Sequence, residues 1–147
     1  MSTTESTAVS PIALRQDEGE GLWFLGALAT IKASAETTDG RVAVIEHLAP
    51  QGAGSPLHVH HHEDEWFYVT EGELTFWVGG RVIEAPAGSF VYGPRDVPHT
   101  FAVTSPEARS CSSRSPPASR ASCARSPRPR RPSRSRRPRS GRPSPSA

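Results

Sequence analysis

Between Gly52 and Gly72 the chain reads GAGSPLHVHHHEDEWFYVTEG, with four histidines and four acidic residues held between two glycines. Imidazole nitrogen and carboxylate oxygen are the ligand set of zinc, iron, copper, nickel and manganese. The stretch also runs directly into WFYV, a run of aromatic and branched residues suited to a strand.

Side chains alternate between faces along a strand, so a His-x-His pair puts two imidazoles on one side, within reach of one ion. Two registers satisfy this, His58 with His60 or His60 with His62. A carboxylate carried back by the following strand distinguishes them. Five positions after His60 stands Glu65, whereas five after His62 stands Phe67, which cannot ligate. The first register is the one that builds a site.

The rest of the chain up to Arg109 is punctuated in the same style. LWFLGALATIKASA reads as strand, since a helix would have to absorb Gly26, Thr30 and Ile31. ETTDG ends in a turn dipeptide, and RVAVIEHLAP is a second strand closed by Pro50. PLHVH, WFYVTEG, ELTFWVGG, RVIEAPAG, SFVYGP and HTFAVT follow, each short, β-rich and bounded by glycine or proline. Glu71-Gly72-Glu73 and Gly79-Gly80 mark hairpin turns. Strands at this spacing predict an all-β sandwich or barrel.

Gly52, five residues, His58, one residue, His60, four residues, Glu65, six residues and Gly72 resemble the first motif of the cupin superfamily. GSFVYGPRDVPHTFAV is similar to the second, with Gly88, Pro94, Asp96 and His99 at the family's spacing. Two positions depart from the pattern: Asp96 stands where glycine is usual and Val103 where asparagine often stands. Neither is a ligand position. The resemblance implies a cupin double-stranded β-helix, a jelly-roll barrel, with a metal held by His58, His60, Glu65 and His99. It covers roughly residues 20 to 109, and two linked motifs are far more specific than one. His61 and His62 are read as non-ligands, one of them at the cavity rim, and His47, outside both motifs, as structural.

If Glu65 points into the barrel, Phe67 and Val69 share its side, and Phe101 and Val103 likewise share that of His99. These residues would wall the site with apolar surface, as in most small-molecule pockets.

Net charge divides the chain sharply. Residues 1 to 109 hold all 15 acidic residues against 6 basic ones, a net of −9, while residues 110 to 147 hold 11 arginines and no acid. Among those last 38 residues are 12 serines and 8 prolines, with no valine, isoleucine, leucine, methionine or aromatic residue. The expected organisation is a mobile segment over 1–20, a cupin domain over 21–109 and a disordered tail over 110–147. Such a tail is either an arm that neutralises nucleic-acid phosphates or the product of a frameshift in GC-rich coding DNA. The absence of lysine and of regular Arg-Ser repeats favours the frameshift. On that reading the barrel lacks its closing strands, and the sheet edge beside His99 is left unpaired.

The N-terminus lacks the basic and apolar regions of a secretory signal, and no apolar run approaches a membrane span. A cytoplasmic protein with no membrane partner is expected. Cys111 and Cys123 form no disulfide framework or zinc pattern.

The run PLHVHHHEDEWFYVTEGELTFWVGG resembles small single-domain cupins of type 2, particularly those that are quercetin 2,3-dioxygenase-like. The resemblance implies one divalent transition metal ion, iron, manganese, nickel, copper or zinc, activating a small aromatic or enolic substrate together with oxygen. Glu65 then doubles as the base for a substrate hydroxyl. Cupins also include non-catalytic binding and sensing proteins, and they often dimerise through sheet surfaces. Nucleic acid becomes a partner only if the basic tail is genuine.

Overall fold

Alternation of burial is plainest in two strands of the computed structural model, which describes residues 9–115. In β4 (Asp64–Glu71) Glu65, Phe67 and Val69 are buried on one face, while Tyr68 is exposed on the other. In β5 (Glu73–Val78) the buried set is Leu74, Phe76 and Val78. Such period-two patterns bury one face of a sheet against another layer.

The remaining strands are β1 (Glu20–Phe24), β2 (Ala27–Ala33), β3 (Ala43–Pro50), β6 (Arg81–Pro86), β7 (Phe90–Gly93), β8 (His99–Val103) and β9 (Glu107–Ser115). They form a six-stranded sheet in the order β1-β2-β3-β9-β4-β7 and a three-stranded sheet in the order β6-β5-β8. All pairings are antiparallel. The core lies between the sheets, where Phe67 of the larger one meets Phe76 and Phe101 of the smaller at ring-centroid distances of 4.9 and 5.6 Å. Val69, Leu74, Ala85, Val91 and Val103 complete it. The described residues contain no helix, hence none long and apolar enough to cross a membrane.

Four local expectations are corrected. LWFLGALATIKASA is a hairpin, not one strand, because Leu25 and Gly26 both take positive φ, 50° and 80°, and turn the chain between β1 and β2. PLHVH is not a strand; it meets β8 at an isolated bridge between His58 and His99, and Gly54, just ahead of it, forms another with Ala102. The cupin domain does not stop at 109, since β9 runs to Ser115 and pairs with β3 on one side and β4 on the other. Backbone ladders ask only for N–H and C=O groups, which serine and arginine supply as well as valine does.

The fourth correction follows from the second. The edge of β8 beside His99 is covered by residues 52–58, with hydrogen bonds from the Gly52, Ser55 and His58 amides to the Val103, Phe101 and His99 carbonyls. Close approach is possible because Gly54 has no side chain: a Cβ there would stand 2.1 Å from the Phe101 carbonyl oxygen. At the other end, the segment expected to be mobile through residue 20 is fastened where Lys32 Nζ donates to the carbonyls of Arg15, Gln16 and Glu18. Residues 116–147, on which the disorder and nucleic-acid expectations mainly fall, lie outside the described residues.

Candidate metal centre

Three separate pieces of backbone deliver the motif residues to one point. Glu65 projects inward from β4, and His99 from the first position of β8. His58 and His60 come from the segment laid along β8. The amides of His58 and His99 each donate to the other's carbonyl, at 3.0 and 2.9 Å, and the Asp96 amide donates to the His60 carbonyl at 2.8 Å.

Asp96, the residue that departs from the motif's glycine, explains itself here. Its φ is 62°, a left-handed conformation that glycine adopts freely and aspartate tolerates better than most residues. Its Oδ1 also contacts His61 Nδ1 at 2.8 Å, which turns that exposed histidine away from the cluster. His62 is exposed as well. His58, His60, Glu65 and His99 are the residues brought together, with ligand atoms all within 4.8 Å of one another.

The chemistry of this cluster suits a divalent cation. Glu65 Oε2 faces the Nε2 atoms of His60 and His99 at 3.2 Å and that of His58 at 3.8 Å. Ligands held ~2.1 Å from one ion at right angles to each other lie ~3 Å apart, close to these separations. The outer nitrogens fix the tautomers. His58 Nδ1 donates to the Pro56 carbonyl at 2.8 Å and His99 Nδ1 to the Val97 carbonyl at 2.9 Å. A neutral imidazole so bonded turns its Nε2 lone pair inward, as metal-ligating histidines do. The Nε2 atoms of His60 and His99 lie within hydrogen-bond distance of that carboxylate oxygen, and a divalent cation would take the place of the shared protons by accepting lone pairs from all of these atoms at once.

The cluster borders a cavity of about 250 Å³. Phe67 and Phe101 line it, as strand parity requires, together with Phe24, Leu25, Ala49 and Pro56. Val69 and Val103 share those faces but belong to the core behind it.

Three polar residues of the wall were not anticipated as site residues. His47 is not remote from the site: it lines this cavity and hydrogen-bonds with Ser112 Oγ through Nε2 at 3.1 Å. Burial lowers its pKa, the Arg114 charge adding to that and the Glu65 carboxylate opposing it, so the ring is neutral near pH 7. Arg114 lines the cavity too, with Nε 3.5 Å from Glu65 Oε1. Ser112 and Arg114 were hidden inside the Ser/Arg composition. Their signal was the period-two series Ala108, Ser110, Ser112, Arg114 following a Pro-containing turn.

Comparison with known proteins agrees with the geometry. A family model described as a cupin domain matches residues 44–111. A quercetin 2,3-dioxygenase of Bacillus subtilis strain 168 is 32% identical over 95 residues, 65% of this chain. Residues 44–111 form a cupin domain. The match spans only 28% of the Bacillus protein's length, so the cupin domain is what the two share. Among solved structures, a predicted oxalate decarboxylase from Thermotoga maritima superposes with a TM-score of 0.68 at 17% identity, covering 72% of this chain and 100% of that one. KdgF from Halomonas sp. gives a TM-score of 0.65 at 17% identity, covering 74% of this chain and 96% of its own. At those identities the likeness is one of fold, and the all-β cupin architecture is what it establishes.

Proposed function

We propose that this cupin binds one divalent transition metal ion, from the group iron, manganese, nickel, copper and zinc, through His58, His60, Glu65 and His99. We further propose that it acts as a metal-dependent, dioxygenase-like protein on a small aromatic or enolic molecule. The observation that carries the reading is the facing of one carboxylate oxygen by three imidazole nitrogens at the end of an apolar cavity. An ion bound by four protein ligands keeps open positions for oxygen or substrate oxygens and supplies Lewis-acid or redox chemistry there.

The chain's own residues would do the rest. Pro56 and Val97 carbonyls hold the His58 and His99 rings in the ligating tautomer. Phe67 and Phe101 exclude water and offer faces to an aromatic ring. Glu65 stands at the boundary between ligands and cavity, where a carboxylate can take a hydroxyl proton from the occupant.

Metal content and oxygen uptake test the two halves separately. Protein purified without a histidine tag is expected to carry or take up about one metal ion per chain, and H58A/H60A to carry none; stoichiometric metal in the double variant would overturn the ligand set. Metal-loaded protein is expected to consume oxygen with at least one member of a flavonol and enol panel. No consumption with any of the five metals would leave a metal-bearing binding protein and refute turnover.

A further inference from the structure

Beside the four clustered residues, the cavity wall carries a second group of polar side chains that the cluster does not use. Register explains their meeting. On the larger sheet Glu65 of β4 is directly opposite Arg114 of β9, Phe67 is opposite Ser112, and Ser112 is in turn opposite Ile45 of β3, two positions from His47. His47, Ser112, Arg114 and Glu65 therefore share the inner face of three adjacent strands.

The two oxygens of Glu65 are divided between these groups. Oε2 faces the histidines, while Oε1 lies 3.5 Å from Arg114 Nε. Among the described residues the guanidinium is further engaged only by a 3.9 Å contact with Glu63, whose carboxylate faces solvent. His47 and Ser112 add a neutral imidazole and a hydroxyl already linked to each other. Everything else about the wall is hydrocarbon or backbone, apart from the histidines of the cluster and Ser55.

Charge decides what such a cavity should hold. Among the described residues, Glu65 and Arg114 are its only ionic lining residues and cancel each other. A divalent ion bound by the cluster would leave the pocket doubly positive, in a low-dielectric space where uncompensated charge is costly. A neutral occupant leaves that charge standing; an anionic one offsets it. Arginine also offers a planar fork of donors that matches a carboxylate.

We propose that Arg114, supported by His47 and Ser112, is an anion-recognising wall of this cavity, and that its occupant is a small apolar molecule bearing a carboxylate or enolate oxygen. The size fits one ring with its acidic group, since about 250 Å³ lies at the small end of ligand cavities. The proposal rests on the metal reading above, and it narrows the aromatic or enolic class to anionic, single-ring members.

The test is a binding measurement on cobalt-loaded full-length protein, followed by calorimetry and by the visible cobalt spectrum. The probes are salicylate and its neutral counterpart 2-hydroxybenzyl alcohol. Wild-type protein is expected to bind salicylate at least tenfold more tightly than the alcohol. R114Q should weaken salicylate about tenfold or more while leaving the alcohol within about twofold, and R114K should recover part of the loss, since it restores the positive charge without the planar fork. Cobalt content and melting temperature of each variant establish that site and fold survive; H47Q, which leaves Arg114 in place, is the second variant and should weaken salicylate by a smaller factor. Equal binding of the two probes by wild type, or salicylate affinity indifferent to R114Q with cobalt retained, overturns the anion wall while leaving the metal site standing. A wild-type chain that takes up no cobalt overturns both readings, a result distinct from either.

Discussion

Strands β4 and β9 lie side by side in the same sheet, both with neighbours on both edges, and are built from opposite materials. β4 sends Glu65, Phe67 and Val69 to the inner face; β9 sends Ala108, Ser110, Ser112 and Arg114. The first strand is placed by what it buries. The second is placed by its ladders, since three serines of β9 are buried where branched or aromatic residues would each contribute ~1.5–3 kcal/mol of burial. One of them, Ser113, leaves its buried Oγ without a hydrogen-bond partner among the described residues, between Val44 and Trp66, its neighbours in register. A strand can thus be indispensable to a sheet while adding little apolar energy to it.

Ending the chain after Arg109 breaks the comparison most severely. It strips most of β9 from between β3 and β4, so the cooperative melting transition and metal uptake should both vanish. Ending it after Ser115 should retain the transition. Circular dichroism melts of the two truncations measure this, and loss of folding in both would show that stabilising contacts lie beyond Ser115.

Point substitutions give the next effect down. Phe67 and Ser112 are direct register partners, so F67A and S112A probe one spot from the two strands. F67A should cost about 3–5 kcal/mol, through lost burial and a cavity beside Phe76 and Phe101. S112A should cost no more than about 1 kcal/mol, the worth of one hydrogen bond to His47. S113A should stabilise by about 1 kcal/mol, because it removes a buried hydroxyl that has no partner. Denaturant titrations decide the ranking, and equal losses for F67A and S112A would mean that β9 packs as β4 does.

The same contrast explains which parts of the molecule were legible from its sequence. The meeting of His58, His60 and Glu65 was legible from strand parity and spacing, and that of His99 with them from the resemblance to the second cupin motif. Phe67 and Val69 followed from parity alone. β9 was not legible beyond Arg109, since pattern reading detects apolar alternation and this strand has almost none. His47 and Arg114 were missed as site residues for a related reason: a neighbouring strand brings them to the cavity, and that neighbour is known only once β9 is seen inserted between β3 and β4. The β1–β2 hairpin was missed because Leu25-Gly26 is not among the dipeptides that announce a tight turn.

Reading the coding DNA in its other frames would sharpen the contrast. The change of composition at residue 110 sets a frameshift against a selected Arg114 wall as rival readings; the frameshift expects another frame that restores apolar residues opposite Ile45 and His47, where Ser112 and Ser110 now stand. An uninterrupted single frame with no such alternative would refute it and leave β9's serines as the selected face.

The smallest expected effect lies where β4 begins. Asp64 faces outward, directly opposite Ser115 at the end of β9, and is held by Arg95 rather than by anything β9 supplies. Hydrogen bonds from the Arg95 side chain and backbone lower its pKa from 3.8 to about 2. A carboxyl lowered on folding stabilises the native state once it is ionised in both states, so the contribution is complete above 3.8 and drains away as pH falls toward about 2. Melting temperatures of wild type and D64N, taken side by side, should therefore differ by a constant amount above about pH 5 and converge in this acid window. A difference that persists unchanged below pH 2 would mean that the asparagine perturbs the start of β4 by packing, and that charge is not what fixes this end of the strand.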